Sequence, residues 1–246
     1  MEITDIVKNC TIANGNIIRL PDIQLERADY LKVMKLFESN GGKWKGDKCQ
    51  GFLFDTTDAS PILARLQGGD LSDRKKKFQF FETPADISRK LAVRLGDVEP
   101  PHRILEPSAG RGALVKAVLE EWPEQIVDCY ELMEENREEL AKIPNARLLG
   151  SDFMEAEVGM YDKIIANPPF ANNQDIIHVT KMWEHLGDGG QMAVIMSRHW
   201  QFANDKPSKT FRSFVESVDH DVTILPKGTF KSSGTNVESV MLVIWK

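Results

Sequence analysis

Helical and extended patterns alternate along most of this 246-residue chain, from Pro84 onward. Apolar residues recur at helical spacing in some segments and form short runs in the segments between them. This alternation predicts an α/β fold with a doubly wound, largely parallel sheet and helices on both faces. Residues 225–238 carry no helical pattern, so the last two strands should form a hairpin and the final strand should run antiparallel. The predicted helices are 85–95, 113–122, 134–141, 175–186 and 209–217, and the predicted strands are 103–106, 125–130, 146–149, 161–166, 191–196, 221–224 and 239–245.

Residues 1–77 follow a different pattern and are predicted to form a small N-terminal α+β appendage to a main domain at 78–246. The appendage should contain an extended stretch at 17–20, a helix at 25–39, and a hairpin at 43–54. A short helix should follow, with Ser60 as its N-cap and Pro61 as its first residue. Such a unit could contact DNA or act as a structural cap, and the sequence leaves both interpretations open.

Four basic residues of this appendage are candidates for phosphate contacts. Lys43 and Lys45 lie in the predicted hairpin, and Arg74 and Lys75 lie in a basic connector. The whole chain carries a net charge of −6, with +2 in residues 1–80 and −8 in the remainder. A protein that bound nucleic acid through bulk charge would be more basic, so any such contact must be local.

Composition constrains the cellular location. The apolar runs are far shorter than the roughly 20 residues that span a bilayer, and the acidic N-terminus has no apolar signal core. Cys10, Cys49 and Cys129 are odd in number and widely spaced, unlike a disulfide framework or a zinc site. These features predict a cytoplasmic protein with no membrane segment and no metal.

The sequence Asn167-Pro168-Pro169-Phe170 directly follows the predicted strand at 161–166. Each proline fixes its own φ and favours an extended conformation in the residue before it. The Asn167 side-chain oxygen and the Pro168 carbonyl can therefore point together into a cleft beside the Phe170 ring. Two acceptors and a ring suit a planar group with an exocyclic NH₂, although a simple turn with a half-buried aromatic ring is the alternative.

A glycine-containing loop joins the first main strand to a helix. Glu106 and Pro107 lead into it, and Gly110 and Gly112 allow a ligand to approach the backbone closely at the carboxyl edge of the sheet. Val115 stands where the dinucleotide fingerprint requires a third glycine, which excludes that fingerprint. A tight strand–helix turn with no ligand is the alternative interpretation.

Two further acids follow the next two strands. Glu131 can accept hydrogen bonds from both hydroxyls of a ribose. Asp152 can accept from an adenine amino group, with Phe153 lining the base pocket. Acids at three successive strand ends, together with the glycine loop, indicate a nucleoside-binding edge.

The segment before the first domain helix carries the last motif. Thr83 is predicted as a helix N-cap with Pro84 as the first helical residue, and aromatic residues including Phe81 precede it. The complete order of motifs resembles class I S-adenosylmethionine-dependent methyltransferases, most closely the N6-adenine DNA methyltransferases of phages and mobile elements. The motifs are Phe-x-Thr-Pro, Glu-Pro-x-x-Gly-x-Gly, the ribose acid, Asp-Phe and Asn-Pro-Pro-Phe, and they cover about residues 78–246.

The resemblance implies S-adenosylmethionine as cofactor and DNA as partner. Glu106, Ala109 and Gly110 would flank the methionine moiety, with Phe81 and Thr83 beside it. Glu131 would contact the ribose and Asp152 the adenine, and Leu132 would be a further contact of the cofactor. Phe170 would stack on an adenine extruded from the duplex. Phe230 is expected either to close over that base or to pack on the core, and His199 lies near the presumed substrate cleft.

Other substrates remain open at this point. The same tetrapeptide occurs in enzymes that methylate adenine N6 or guanine N2 in RNA, and in enzymes that methylate protein glutamine. A non-catalytic nucleic-acid-binding module is a third interpretation, which the intact Asn167, Glu131 and loop glycines oppose. Relatives with this motif order usually carry a recognition domain after the last motif, whereas this sequence ends at the predicted final strand. We therefore expect weak sequence specificity or a very short site.

Overall fold

The computed structural model describes residues 2–46, 50–54, 56–72, 81–231 and 233–246. The chain forms two compact units, Met1–Gln79 and Phe80–Lys246.

In the described part of the first unit, three helices pack with a four-stranded antiparallel sheet of order β1-β2-β4-β3. Val33, Leu36 and Phe37 form the buried face of its longest helix, and the Phe37 ring lies 4.7 Å from that of Phe52. Lys43 and Lys45 are exposed on a strand. The elements are α1 (Ile3–Lys8), β1 (Thr11–Ala13), β2 (Ile17–Arg19), α2 (Arg27–Ser39), β3 (Lys43–Lys45), β4 (Gly51–Leu53) and α3 (Ser60–Gln67).

The start of α3 differs from the prediction. Ala59 is the N-cap, and Ser60 is already the first helical residue. The Asp58 carboxylate accepts a hydrogen bond from the Ser60 amide at 2.8 Å, so a side chain that precedes the helix, and not the serine hydroxyl, satisfies an amide at the helix start. The sequence patterns also did not predict α1 and β1, which are too short to show periodicity.

The second unit contains a seven-stranded sheet of order β10-β11-β9-β8-β5-β6-β7. Strands β7, β6, β5, β8 and β9 are parallel, whereas β11 is antiparallel to both β9 and β10. The predicted α/β class, largely parallel sheet and antiparallel final strand are confirmed. The elements are α4 (Ala85–Val93), β5 (Ile104–Glu106), α5 (Ala113–Glu121), β6 (Val127–Tyr130), α6 (Glu134–Leu140), β7 (Ala146–Gly150), β8 (Tyr161–Ala166), α7 (Gln174–His185), β9 (Leu186–Ser197), α8 (His199–Phe202), α9 (Lys206–Glu216), β10 (Asp219–Ile224) and β11 (Ser239–Trp245).

The inner strands of the sheet are buried on both faces, which explains their continuous apolar runs. In β11, Met241 and Val243 pack into the core on one face, while Leu242 and Ile244 pack into the core on the other. Successive side chains of a strand point to opposite faces, so one strand contributes to both cores.

One helix starts earlier than predicted. Helix α9 begins at Lys206 rather than at residue 209, because the Asp205 carboxylate caps it by accepting from the Ser208 amide at 3.0 Å.

Gly112 occupies a position that excludes a side chain. Its φ is +81°, and an added Cβ would lie 2.2 Å from Ile143 Cδ1 and 3.1 Å from Leu140 Cδ1. Gly189 has a similar φ of +76°, but an added Cβ there would meet no described atom within 4 Å. A comparison of substitutions at the two glycines therefore separates the effect of backbone strain from that of steric crowding.

We expect Gly112→Ala to lower the free energy of unfolding by about 1–3 kcal/mol more than Gly189→Ala does. Both changes place alanine at positive φ, but only the first also overpacks the core. Urea unfolding of the two variants measures the difference, and equal losses would contradict the crowding at Gly112.

Candidate active site

The polar groups singled out in the sequence meet at the carboxyl edge of the sheet. Glu106 ends β5, Glu131 follows β6, Asp152 follows β7, and Asn167 follows β8. The chain winds outward from β5 to β7 and then returns to β8 on the opposite side of β5. The β5–β8 boundary is therefore a switch point, where open α/β sheets have their ligand crevice.

Glu131 holds the glycine loop against the end of β6. Its Oε2 accepts from the Gly110 amide at 2.7 Å, and its Oε1 accepts from the Met133 amide at 2.7 Å and from Asn136 Nδ2 at 3.2 Å. A carboxylate has about four acceptor sites, so one site on Oε2 is left among the described residues. The prediction that Glu131 accepts from both ribose hydroxyls therefore exceeds the capacity that this structure leaves.

The loop backbone approaches the site in the conformations that glycine favours. Gly110 and Gly112 have φ values of +54° and +81°, and the Ala109 amide donates to the Tyr130 carbonyl at 2.9 Å. Pro107 and Ala109 are buried beneath the loop, whereas Leu132 is 50% exposed beside it. The exposed leucine offers an apolar surface next to the Glu131 carboxylate.

Glu106 is a buried acid at the centre of this edge. It is 1% exposed, and its Oε1 accepts from the Ser108 amide at 2.9 Å. Burial raises its pKa to about 8, the Ser108 amide opposes that rise, and the negative charge of Glu131 adds to it. Burial likewise raises the pKa of Glu131, against the effect of its three hydrogen bonds.

The side chains of Asp152 and Phe153 make contacts within the protein. The Asp152 carboxylate accepts from the Met154 amide at 2.8 Å and caps a single 3₁₀ turn, Phe153–Glu155. Phe153 is 2% exposed, and its ring lies 4.9 Å from that of His185. The prediction that Phe153 lines a base pocket is not met in this structure, because its ring belongs to the core.

The Asn167 amide is held in one orientation by the segment that begins the unit. Its Nδ2 donates to Thr83 Oγ1 at 3.0 Å and to the Phe81 carbonyl at 3.4 Å. Its Oδ1 is buried and has no hydrogen-bond partner among the described residues. A buried acceptor with no partner is costly, so this oxygen marks a position where a donor can bind.

Thr83 therefore has a role different from the predicted one. Pro84 is the N-cap of α4, and the helix starts at Ala85. The Thr83 hydroxyl, in a residue that is 6% exposed, serves Asn167 instead of the helix end. No local pattern could have predicted this contact, because the two residues are 84 positions apart.

The rest of the tetrapeptide forms a ledge beside this oxygen. Pro168 is buried, Pro169 and Phe170 are half-buried, and the Phe170 ring packs against the core. Asn172 and Asn173 then adopt left-handed conformations, with φ of +57° and +60°, which turn the chain into α7.

Asp175 fixes the start of α7 and was not singled out in the sequence. It is 1% exposed and accepts from both the amide and the hydroxyl of Ser197, at 3.0 and 2.7 Å. The bonds tie the segment after Phe170 to the end of β9. An acid at the start of a helix is usually exposed, so the sequence carried no signal for this contact.

The other residues predicted to contact the substrate lie in several different places. Phe230 is 1% exposed within the core, so its ring offers no face to a base in this structure and the core alternative holds. His199 is exposed, and its Nε2 lies 3.4 Å from Asp205 Oδ2. Lys43 and Lys45 belong to the first unit, and Arg74 and Lys75 lie outside the described residues.

Within the described ranges, no group of three or more His, Cys, Asp or Glu side chains is placed to hold a metal ion. In the same ranges, no helix combines the length and apolarity that crossing a membrane requires.

The burial of Glu106 makes a pH-dependent prediction. Its pKa is about 8 when folded and 4.5 when exposed, so the folded state keeps a proton that the unfolded state releases. The stabilising contribution is complete below the unfolded pKa and is lost as the pH rises through the folded one. Relative to Glu106→Gln, the wild-type protein should lose a few kcal/mol between about pH 5 and about pH 8.

Urea unfolding at both pH values tests this expectation. Glu157→Gln, which changes an exposed acid of the same unit, is the matched control. A difference between wild type and Glu106→Gln that stays constant with pH would contradict the burial of an acid at this position.

Comparison with known proteins identifies the family. The sequence profile of the methyltransferase small domain matches residues 80–220, more than half of the chain. The type II methyltransferase M.AccI of Acinetobacter calcoaceticus is 29% identical over 108 residues, which are 42% of this chain and 20% of that protein.

One solved structure with a TM-score above 0.5 shares the fold at low sequence identity. A structure of the type I R-M system is 17% identical, with a TM-score of 0.59 over 76% of this chain and 45% of that one. TrmN of Thermus thermophilus is 22% identical, with a TM-score of 0.49 over 72% of this chain and 53% of that one. The chain thus spans a fifth of the curated relative's length and about half of each of these two solved chains. The profile match, which covers more than half of the sequence, shows that the chain belongs to the methyltransferase small domain family.

Proposed function

We propose that this protein transfers a methyl group from S-adenosylmethionine to the exocyclic N6 amino group of adenine in DNA. Membership of the family makes the chain a methyltransferase, and its cofactor is S-adenosylmethionine. The observation that carries the substrate proposal is the buried Oδ1 of Asn167, which has no partner among the described residues and is oriented by the contacts of Nδ2 with Thr83 and Phe81. The similarity to a type II methyltransferase supports DNA.

The residues at the carboxyl edge fit the cofactor. S-adenosylmethionine supplies, when bound, an electrophilic methyl group on a positively charged sulfonium and leaves as a neutral thioether. Buried acids such as Glu106 favour a cationic ligand, and a cation nearby would lower the raised pKa of that group. The glycine loop would hold the methionine end through Ala109 and Gly110. Glu131 would use its remaining Oε2 site for one ribose hydroxyl.

The adenine of the cofactor fits the next part of the same edge. Leu132 would pack on it with its exposed side chain. Asp152 is half-buried, and it would accept from the amino group with the capacity that its single described hydrogen bond leaves.

The Asn167–Phe170 ledge would overcome the main chemical difficulty of the reaction. An aromatic amine is a weak nucleophile because its lone pair is delocalised into the ring. Asn167 Oδ1 and the Pro168 carbonyl would each accept one N–H, which favours a pyramidal nitrogen with its lone pair directed at the methyl group. The amine proton is then lost to solvent, so the contribution of the protein is positioning and electrostatics.

Phe170 would hold the extruded base against the ledge. Its half-buried ring is fixed by the core on one side, which leaves the other for stacking. Extruding a base costs a few kcal/mol, and stacking on an aromatic ring returns part of that cost.

The first test supplies labelled cofactor together with unmethylated duplex DNA, single-stranded DNA, ribosomal RNA and protein. We expect label in DNA as N6-methyladenine, identified by mass spectrometry of the nucleosides. Asn167→Ala should reduce the rate about 100-fold or more, because it removes a preorganised acceptor. Asn9→Ala, the same change in the first unit, is the control. Label found only in RNA or only in protein would refute the DNA proposal.

A second test concerns Thr83. We expect Thr83→Val to lower kcat up to about tenfold, the value of one hydrogen bond that orients a catalytic group. Thr83→Ser should restore the rate, and the affinity for the cofactor, measured by calorimetry, should change little in either variant.

The Thr83→Val change in an Asn167→Ala background separates orientation from structural damage. If Thr83 acts through Asn167, its substitution should add no further loss there. Additive losses would show that Thr83 acts by another route.

A further inference from the structure

A short helix beside the proposed target site presents an aromatic ring to solvent. Phe202, in α8, is 61% exposed, the largest value among the large apolar side chains described. Single exposed apolar residues are common and need no explanation by themselves. Phe202 differs from such residues in three respects: its helix is fixed, it lies on the same edge of the sheet as Asn167, and its segment is basic.

The helix that carries Phe202 is anchored to α9. Trp200 is 5% exposed, and its ring meets that of Phe211 at 5.3 Å and an interplanar angle of 90°. Arg212 donates to the Trp200 carbonyl and to the Ala203 carbonyl, the latter at 2.9 Å. The exposure of Phe202 is therefore imposed by a fixed helix and does not result from a loose loop.

The helix lies on the same edge of the sheet as Asn167. It follows β9, and β9 pairs in parallel with β8, where Val194 lies opposite Ala166. Asn173, three residues after Phe170, donates through Nδ2 to Asp205 Oδ1 at 3.2 Å. The segment after Phe202 is thus bonded directly to the loop that follows the ledge.

The segment that carries Phe202 has a net charge opposite in sign to that of the unit as a whole. Residues 198–212 carry four Lys and Arg against one acid, whereas residues 81–246 carry a net charge of −8. The Arg198 guanidinium lies 5.8 Å from the centre of the Phe202 ring and pairs through Nη1 with Glu238 Oε2 at 3.3 Å. Lys209 is exposed. An aromatic ring among cations is the combination that binds single nucleic-acid strands, by stacking on bases and contacting phosphates.

We infer that Phe202 stacks on an unpaired nucleotide of the DNA strand next to the target adenine, while Arg198 and Lys209 contact its phosphates. The inference rests on the proposed function, because it names how the DNA substrate is held. It also explains how an acidic unit binds a polyanion, since the favourable charge is confined to the rim of the site.

The test measures binding of a fluorescein-labelled duplex that contains one unpaired nucleotide beside an adenine. We expect Phe202→Ala to weaken binding about tenfold or more, and Phe202→Leu to do the same, because leucine has no ring to stack. Phe202→Trp should bind as the wild type does. Met160→Ala is the matched control, since Met160 is 57% exposed and precedes β8 at the opposite edge of the sheet.

Lys209→Gln should reduce the slope of log affinity against log salt by about one, as expected for the loss of one phosphate contact. Unchanged DNA affinity in Phe202→Ala, in a protein that methylates DNA, would overturn the stacking and leave the proposed function in place. A wild-type protein that labels only protein substrates and does not bind the duplex would overturn both.

Discussion

The parallel pairing of β5 with β6 on one side and β8 on the other is the constraint on which the site depends. It brings the ends of three strands to one edge, so that Glu106, Glu131 and Asn167 become neighbours although they are distant in sequence. The hydrogen bonds of Glu131 then join the glycine loop to the end of β6. The site is thus built from strand ends, and the helices behind them keep it rigid.

The orientation of the Asn167 amide decides whether the site offers an incoming amine a hydrogen-bond acceptor or a donor. Two oxygens of the segment before α4, Thr83 Oγ1 and the Phe81 carbonyl, accept from the Asn167 nitrogen. In the part of the chain that the structure describes, the Asn167 oxygen then has no partner. A flipped amide would offer N–H groups to an incoming amine, and donor would meet donor. A specific contact outside the tetrapeptide is therefore as important to the proposed chemistry as the tetrapeptide itself.

The sequence predicted the α/β class, the parallel sheet and the reversed last strand, because these depend on periodicities that lie within single segments. It placed Asn167, Glu106 and Glu131 at strand ends for the same reason. It did not predict the Thr83–Asn167 bond or the Asp175–Ser197 bonds, which join residues far apart in the chain. Phe153 was predicted to line a base pocket, and Phe230 either to close over a base or to pack on the core, since an aromatic ring near a motif has the same pattern whether it faces a ligand or the core.

The position of β11 in the sheet has a consequence for the order of folding. It is the last in sequence of the strands that the structure describes, yet it lies between β9 and β10 and contributes side chains to both cores. Until it is in place, β9 has a long apolar edge without its antiparallel partner, and such edges template association between chains. During synthesis on the ribosome, the second unit therefore stays incomplete until Ser239–Trp245 emerges. Its nascent form has every motif of the carboxyl edge and still depends on a late, non-local pairing.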